Sequence, residues 1–462
     1  MASKNKKPLL SEVSAALDWR IPEWLGLALF LLYWANAAWS FYGTGDWARN
    51  FSEIRLWPGL VPPFWQATGA AAARALGLLG GLALLGALGG TAGRAMIRRF
   101  GLWGGPATER WPLALALGWG LFGLALLGLG LLGLWRTGVL AFAAAAIALA
   151  CALESRRPVP FLEPAPAPPW TAWEKVAAGG LAALALFNFF GALMPEIFYD
   201  ALVYHLALPA VYWKHGGIVP TADNLYSGLP LLVQMLYGAA LPLGGDALAR
   251  LLNWSFGVLT AGLCVSFGAR HATRGAGLLA GLLFYSTPLV GVMSWKCGVE
   301  PGWAFFQLAA IAALARRVSD PEGPATWTVL AGVLTGLAMG TKYQAWPAGL
   351  ILAAGLAWTF PGTFREKIRE AAIFLLIAAL AAAPWVFKNA ILYGNPLYPF
   401  FHERWAGDAA PRWLAFLQDA EARDPLGVLT TWAGFSAWAA HPWTVSTRGM
   451  DLGPALLLAL PA

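Results

Sequence analysis

Residues 112–134 read PLALALGWGLFGLALLGLGLLGL, and no charged side chain interrupts them. A run of this length can cross the hydrocarbon core of a bilayer, about 30 Å thick, as one helix. Comparable apolar runs recur along the chain. We predict membrane spans at residues 21–42, 74–93, 112–134, 137–153, 176–194, 246–268, 276–295, 301–316, 326–341, 343–360 and 371–387.

The composition of the whole chain agrees with this pattern. Of its 462 residues, 58% are hydrophobic and 12% are charged, and the mean hydropathy is +0.59. Soluble domains usually carry about a quarter of charged residues. The strands of an outer-membrane barrel would alternate apolar and polar residues, and the sequence shows no such alternation. We therefore predict an all-α fold, a polytopic transmembrane helical bundle with about 11 spans and an incomplete C-terminal one.

The basic residues indicate how the spans are oriented. The net charge of +7 does not predict nucleic-acid binding, because Lys and Arg lie between the apolar runs rather than on one face. Cytoplasmic loops of membrane proteins are rich in Lys and Arg. With a cytoplasmic N-terminus, that side receives Arg94, Arg98, Arg99, Arg110, Arg156, Arg157, Lys175, Arg270, Arg274, Arg316, Arg317, Arg365, Lys367 and Arg369. We expect a bacterial inner-membrane protein in this orientation.

A proline-rich stretch divides the chain. Residues 155–174 suit a semi-rigid cytoplasmic linker, since clustered prolines favour extended chain. Residues 1–154 are predicted to form an N-terminal accessory bundle of four spans, and residues 175–402 a catalytic transmembrane core. Residues 403–462 are expected to hold an outer loop and the start of a final, truncated span.

One apolar segment is too short for a comfortable span. Residues 229–243 have about half the required length, and a crossing there would move Arg270 and Arg274 to the outside. We expect this segment to lie at the outer interface or to re-enter the membrane. The first large outer loop, with its interfacial helices, then covers residues 195–245.

After the linker, polar side chains recur where spans end at the predicted outer face. Ionisable groups against a bilayer are costly and mark functional sites by default. Residues 195–206, PEIFYDALVYHL, supply three of them directly after a span. The groups that recur in this way are Asp200, Lys296, Glu300, Lys342, Lys388 and Asn389. We expect these groups, which are distant in sequence, to converge on one cavity at the outer face.

Several motifs follow one another in a definite order. They are residues 199–206 (YDALVYHL) with Pro209, Pro230, residues 249–250 (AR), Glu300, residues 340–343 (GTKY), residues 384–389 (PWVFKN) and residues 394–400 (GNPLYPF). In this order they resemble the GT-C superfamily of membrane glycosyltransferases, which includes protein mannosyltransferases and aminoarabinose transferases. The resemblance covers roughly residues 176–402, and the first four spans lie outside it.

The resemblance implies a GT-C type bundle and a transfer reaction. The donor would be a polyprenyl-phosphate-linked sugar, and the acceptor an extracytoplasmic glycolipid, polysaccharide or protein. Transfer would invert the anomeric carbon, with Asp200 as the general base. Glu300 matches a second acidic residue that binds a metal or orients the acceptor.

The other site residues also follow from the resemblance. The donor phosphate would be held by Lys342, Arg250, Lys388 and His205, and the substrate contacted by Glu196, Tyr204, Tyr343 and Asn389. Members differ in metal dependence. Asp200 and Glu300 are the candidate ligands for Mg²⁺ or Mn²⁺, although one Asp and one Glu make a weak magnesium site.

Each residue also has a structural explanation. Asp200 can cap a helix that begins at Ala201, and Glu300 can pair with Lys296 one turn away. Glu196 can be a solvated loop charge, and His205 a hydrogen-bonded interfacial side chain. The long basic side chains can extend to the lipid headgroups; these are Lys342, Lys388 and Arg250.

Two other functions compete with a transferase. A transporter or lipid-carrier flippase also collects charges and broken helices around a cavity. Such a protein is expected to show related halves, and the sequence shows no clear internal repeat. An inactive relative that serves as a scaffold is the third alternative.

Overall fold

A computed structural model describes residues 32, 35, 69–102, 106–155, 168–221, 224–401 and 431–447. Every regular element in these ranges is helical. The chain forms two compact units: one contains both chain ends, residues 1–62 and 428–462, and the other contains residues 63–427. The predicted span at 21–42 and most of the segment 403–462 lie outside the described residues.

The larger unit is built from helices that we number in chain order. They are α1 (Gly69–Arg99), α2 (Ala107–Leu131), α3 (Thr137–Ser155), α4 (Ala172–Ala192), α5 (Ala207–His215), α6 (Leu232–His271), α7 (Arg274–Ser286), α8 (Pro288–Ser294), α9 (Glu300–Ser319), α10 (Thr326–Met339), α11 (Ala345–Thr359) and α12 (Phe364–Tyr393). A π-helical turn (Ala201–His205) and a 3-10 turn (Leu225–Gly228) lie between α4 and α6. In the other unit, α13 covers Trp432–Thr447.

The described helices make this a helical membrane protein. Six of them, α1, α2, α3, α4, α6 and α12, are long and apolar enough to cross a bilayer. The pair α7 and α8, bent by 70°, would add a seventh crossing. The predicted total also counts α9, α10 and α11, which do not pass this test. With 14 and 15 residues, α10 and α11 reach only about 21 to 23 Å, short of the bilayer core.

Local sequence explains where several helices begin and pack. Thr171 and Glu174 form a capping box at the start of α4, and Thr363 and Glu366 form another at the start of α12. Helices α1 and α2 touch through their backbones, since a Cβ at Gly93 would lie 1.8 Å from the carbonyl oxygen of Ala114. Small residues at such crossings are typical of membrane helix pairs.

Helix α6 lies at the centre of the larger unit. It packs against α1, α2, α7 and α9, so helices of the predicted accessory bundle share a core with helices of the predicted catalytic region. The predicted domain boundaries stay a prediction. The helix bends sharply at Gly244 and Gly245, where the backbone leaves helical geometry.

The short segment 229–243 forms the part of α6 before this bend. Residues Leu232–Ala240 are all buried inside the protein. A helix lying on the membrane surface usually leaves one face exposed, whereas non-spanning backbone at membrane depth is tolerated where protein buries it. The burial therefore favours the re-entrant alternative, and the choice between the two placements stays a prediction.

One end of the helices carries a contiguous set of ion pairs, which we call the arginine end. The carboxylate of Glu109 accepts hydrogen bonds from Arg270 at 3.0 Å and Arg316 at 2.7 Å. The neighbouring Arg317 and Arg274 pair with carboxylates at the starts of α12 and α4, at 2.8 and 2.7 Å; these are Glu370 and Glu174. All these arginines belong to loops predicted to be cytoplasmic. The structure thus brings those loops together at one end.

Candidate active site

A cavity of about 220 Å³ opens away from the arginine end. Glu300 beside it and Arg316 at the arginine end lie at opposite ends of α9, about 24 Å apart at a rise of about 1.5 Å per residue. Five separate parts of the sequence line the cavity. Its walls are Tyr204, His205, Tyr226, Leu229, Pro230, Gln234, Val299, Thr341, Lys342, Tyr343, Gln344 and Phe400.

Lys342 is the cation of this cavity. Its Nζ donates a hydrogen bond of 2.7 Å to Glu300, whose other carboxylate oxygen accepts one from the Val299 amide. Burial raises the pKa of Glu300, but the hydrogen bond and charge of Lys342 outweigh burial and hold that pKa below its ordinary value. The proposed pairing of Glu300 with Lys296 is wrong, because the Lys296 ammonium lies over the Phe198 ring instead.

Asp200 lies at the entrance to the π-helical turn and is half-buried. Within the described residues, its side chain makes no capping hydrogen bond to the turn, so the structural explanation of Asp200 as a cap is wrong. Tyr204 lies four residues further on. Burial raises the pKa of Tyr204, and the negative charges of Asp200 and Glu300 raise it further. Both carboxylates therefore lie within electrostatic reach of one tyrosine hydroxyl.

His205 is paired with a residue that the sequence analysis did not select. The Nε2 of Gln234 lies 2.8 Å from His205 Nδ1, and both side chains are only 2% exposed. Burial lowers the pKa of His205, which keeps the imidazole neutral. A neutral imidazole is a weak partner for phosphate charge. His205 thus lines the cavity as predicted but offers hydrogen bonds rather than a positive charge.

Aromatic rings form two walls of the cavity. Tyr204 and Tyr226 stack with ring centroids 4.2 Å apart, and Tyr343 meets Phe400 edge to face at 5.3 Å. Aromatic rings present flat apolar faces next to polar tips. A sugar ring, which has apolar C–H faces and polar edges, matches such walls.

Two predicted site residues support the cavity from behind. Asn389 donates a hydrogen bond to the Tyr343 hydroxyl, which donates to the carbonyl of Tyr398. The Lys388 ammonium donates to the carbonyls of Ser227 and Leu229 at 2.8 and 2.9 Å. Asn389 and Lys388 are both 1% exposed. Both side chains position the walls of the cavity in this structure, and their predicted contacts with substrate stay a prediction.

Two further predicted site residues lie away from the described cavity lining. Arg250 is 3% exposed and pairs with Asp246 on the preceding turn at 3.3 Å, and it does not line the described cavity. The Glu196 carboxylate accepts hydrogen bonds from the amides of Phe198 and Cys297 at 2.9 and 2.7 Å. Glu196 thereby ties the loop after α4 to the loop before α9, and is neither a solvated charge nor a wall of the cavity.

The described residues do not gather a metal site. Among them, no group of three or more His, Cys, Asp or Glu side chains is placed to hold an ion. Glu300 is already neutralised by Lys342. Mg²⁺ usually binds through one or two carboxylates plus substrate phosphates. The predicted role of Asp200 and Glu300 as metal ligands therefore stays a prediction, and the transfer proposed for this chain uses no metal ion.

The sequence motifs contain most of the residues that line the cavity. They did not identify Gln234, Tyr226 or Phe400 as site residues. The signal for Gln234 was available, since it is a polar residue in the middle of the apolar run 229–243. Polar residues in such runs face the protein interior or a cavity. No comparable signal selects Tyr226 or Phe400, which lie in loops.

Comparisons of the chain with protein-family models, curated proteins and solved structures find no significant match. The likeness to GT-C enzymes therefore rests on the ordered motifs.

Proposed function

We propose that this protein is a membrane glycosyltransferase that moves a sugar from a polyprenyl-phosphate carrier to an extracytoplasmic acceptor. One observation carries the proposal: the cavity combines a lysine, two nearby carboxylates and aromatic walls at the end opposite the arginine end. A cation for phosphate, a base for the acceptor and flat faces for a sugar are what this transfer needs. The acceptor is a glycolipid, a polysaccharide or a protein.

The reaction is a single displacement. The Asp200 carboxylate takes the proton of the acceptor hydroxyl as the acceptor oxygen attacks the anomeric carbon. The bond between that carbon and the phosphate oxygen breaks, and its electron pair leaves on the polyprenyl phosphate. A positioned base contributes about 10²–10⁴-fold to such a rate. Attack opposite to the leaving group inverts the anomeric carbon.

Lys342 stabilises the negative charge that grows on the departing phosphate. Its ammonium is bonded to Glu300 in this structure, so the phosphate replaces or shares that carboxylate when the donor binds. Charge-assisted hydrogen bonds of this kind are stronger than neutral ones. Tyr204, whose pKa is raised by burial and by the two carboxylates, stays protonated, and its hydroxyl can donate a hydrogen bond to Asp200.

The test measures turnover with purified protein in detergent. A panel of radiolabelled polyprenyl-phosphate sugars is offered with membrane extracts as acceptors. Asp200→Asn removes the base but little volume, so transfer is expected to fall by at least about 100-fold while expression and membrane insertion stay unchanged. Glu322→Gln, at an exposed position of the loop after α9, serves as a control that keeps turnover. Transfer that survives in Asp200→Asn would remove Asp200 from the role of base.

One observation favours a transporter or flippase as the second candidate. The main chain breaks at Gly244 and Gly245 within α6, and α7 and α8 meet at 70°. Discontinuous helices are a hallmark of transporter binding sites. Reconstitution of the protein in vesicles with the same labelled donors separates the two functions: a flippase moves the labelled carrier across the bilayer without releasing its sugar.

A further inference from the structure

Gln234 is a buried polar side chain that the reaction above does not use. It lies in the first part of α6, where the residues from Leu232 to Ala240 are all buried, and it lines the cavity. Its side chain is 2% exposed. A polar residue at such a depth needs hydrogen-bond partners.

Gln234 has only half of the partners it needs. Its Nε2 faces His205 Nδ1 at 2.8 Å, whereas its Oε1 has no hydrogen-bond partner among the described residues. Turning the amide around would pair Oε1 with His205 and leave Nε2 alone. In either orientation, one polar atom of the amide has no hydrogen-bond partner among the described residues. Leaving such a buried atom unsatisfied costs free energy, which a ligand can recover.

His205 contributes the complementary group. When the Gln234 amide donates to Nδ1, the proton of the neutral ring is on Nε2, which becomes a donor. The pair thus offers one acceptor, Gln234 Oε1, and one donor, His205 Nε2. A hydroxyl group both donates and accepts. The pair therefore matches uncharged hydroxyl groups better than a phosphate or a carboxylate.

We propose that Gln234 and His205 form a subsite that recognises hydroxyl groups of the sugar on the lipid carrier. The inference rests on the proposed function and assigns the two ends of the donor: the phosphate goes to Lys342, and the sugar goes to the Gln234–His205 pair. The stacked rings of Tyr204 and Tyr226 form the wall next to this pair, since Tyr204 also contacts the His205 ring at 3.9 Å. Gln234 is a specificity-determining residue in this assignment.

The experiment compares the binding of two kinds of probe to purified full-length protein. The probes are undecaprenyl phosphate and undecaprenyl phosphate carrying mannose, glucose or arabinose, with dissociation constants measured by tryptophan fluorescence. Wild type is expected to bind at least one glycosylated probe more tightly than the bare phosphate. Gln234→Met keeps the side-chain volume but removes the amide. This substitution is expected to weaken the binding of that glycosylated probe about ten-fold and to change the binding of the bare phosphate by less than about two-fold.

A matched variant separates the subsite from a general loss of fold. Gln307→Met makes the same change in α9, at a position that does not line the described cavity. It is expected to keep the preference of wild type. Equal weakening of both probes by Gln234→Met, or no weakening at all, overturns the subsite while the proposed function stands. Failure of wild type to bind any probe overturns the subsite and the proposed function together.

A series of carrier-linked deoxy sugars gives a second, independent test of the subsite. A buried site built to hydrogen-bond a hydroxyl discriminates strongly against the analogue that lacks it. For one position on the ring, the deoxy probe is expected to bind wild type about ten-fold more weakly than the parent sugar. Gln234→Met is expected to bind the deoxy probe and the parent sugar with equal affinity, because the variant has already lost the hydrogen bond that the deoxy probe cannot make. If the loss of affinity from Gln234→Met and the loss from removing a hydroxyl simply add at every ring position, Gln234 does not contact the sugar directly.

Discussion

Lys342 and Glu300 show how one pair of residues holds a binding site in readiness. The two side chains are 31% and 41% exposed, so water screens their ion pair, which is worth at most about 1 kcal/mol. The sugar-linked donor is a phosphodiester and carries no more negative charge than a carboxylate, whereas the polyprenyl phosphate that leaves is a monoester with a larger negative charge. In the proposed reaction, exchange of Glu300 for phosphate on the Lys342 ammonium is therefore favoured most by the leaving phosphate. Glu300 holds the ammonium while no phosphate is bound.

The pair predicts opposite effects of two substitutions. Glu300→Gln removes the competing charge, so bare polyprenyl phosphate should bind about 3–10-fold more tightly, whereas Lys342→Met should weaken binding by about ten-fold or more. Dissociation constants in detergent measure both. Glu322→Gln, an exposed acidic residue in the loop after α9, is the matched control and should change nothing. Weaker binding in Glu300→Gln would show that Glu300 helps to hold the donor directly.

At the residue scale, the sequence was a better guide to which residues lie close together than to the contacts that each residue makes. The order of motifs placed His205, Lys342 and Tyr343 in one cavity, and the structure brings them together. The partner of a side chain depends on contacts between segments that are distant in sequence. Lys388 could not be assigned to the carbonyls of Ser227 and Leu229 without the fold.

At the scale of elements, the bend in α6 separates the buried segment that carries Gln234 from the long apolar helix behind it. Gly245 has φ 66° and ψ −156°, a conformation that is essentially restricted to glycine. No atom lies within 4 Å of a Cβ built at this position. The backbone angles alone, and not crowding, therefore require glycine here.

This geometry predicts contrasting results for two Gly→Ala changes in the same helix. Gly245→Ala should cost about 1–3 kcal/mol through backbone strain and lower the thermal midpoint in detergent. Gly262→Ala lies in the regular part of α6, where a Cβ also meets open space, and should be neutral or stabilising because Ala favours helix over Gly. Thermal unfolding followed by tryptophan fluorescence measures both. Equal midpoints would mean that the bend relaxes without strain.

The sequence predicted the apolar helices well and their interruptions less well. The run 276–295 looked like one span, yet it breaks between Ser286 and Pro288 because proline cannot continue the hydrogen-bond ladder of the preceding helix. The length of segment 229–243 left two placements open, at the outer interface or re-entrant. The burial of Leu232–Ala240, which composition does not reveal, favours the re-entrant placement.

In the larger unit, the described ion pairs at the arginine end and at the cavity end differ in burial. The arginine end neutralises its carboxylates with several partners, as Glu109 does with Arg270 and Arg316. Breaking a buried pair of this kind by removing one partner typically costs about 3–5 kcal/mol. The cavity end keeps its lysine in a looser pair that a ligand can open. The first end holds the helices together, and the second is free to exchange partners.

This asymmetry leads to a prediction about orientation in the membrane. The excess of Lys and Arg in the loops of the arginine end favours a cytoplasmic location for that end, so the cavity should face the opposite side. Single cysteines at Lys214 and Glu322, both exposed, are introduced after Cys151, Cys264 and Cys297 are replaced by Ser. A membrane-impermeant maleimide should label Lys214→Cys in intact spheroplasts, and should label Glu322→Cys only after permeabilisation. The reverse pattern would place the cavity in the cytoplasm, where the donor would have to be a cytoplasmic one and extracytoplasmic transfer would be ruled out.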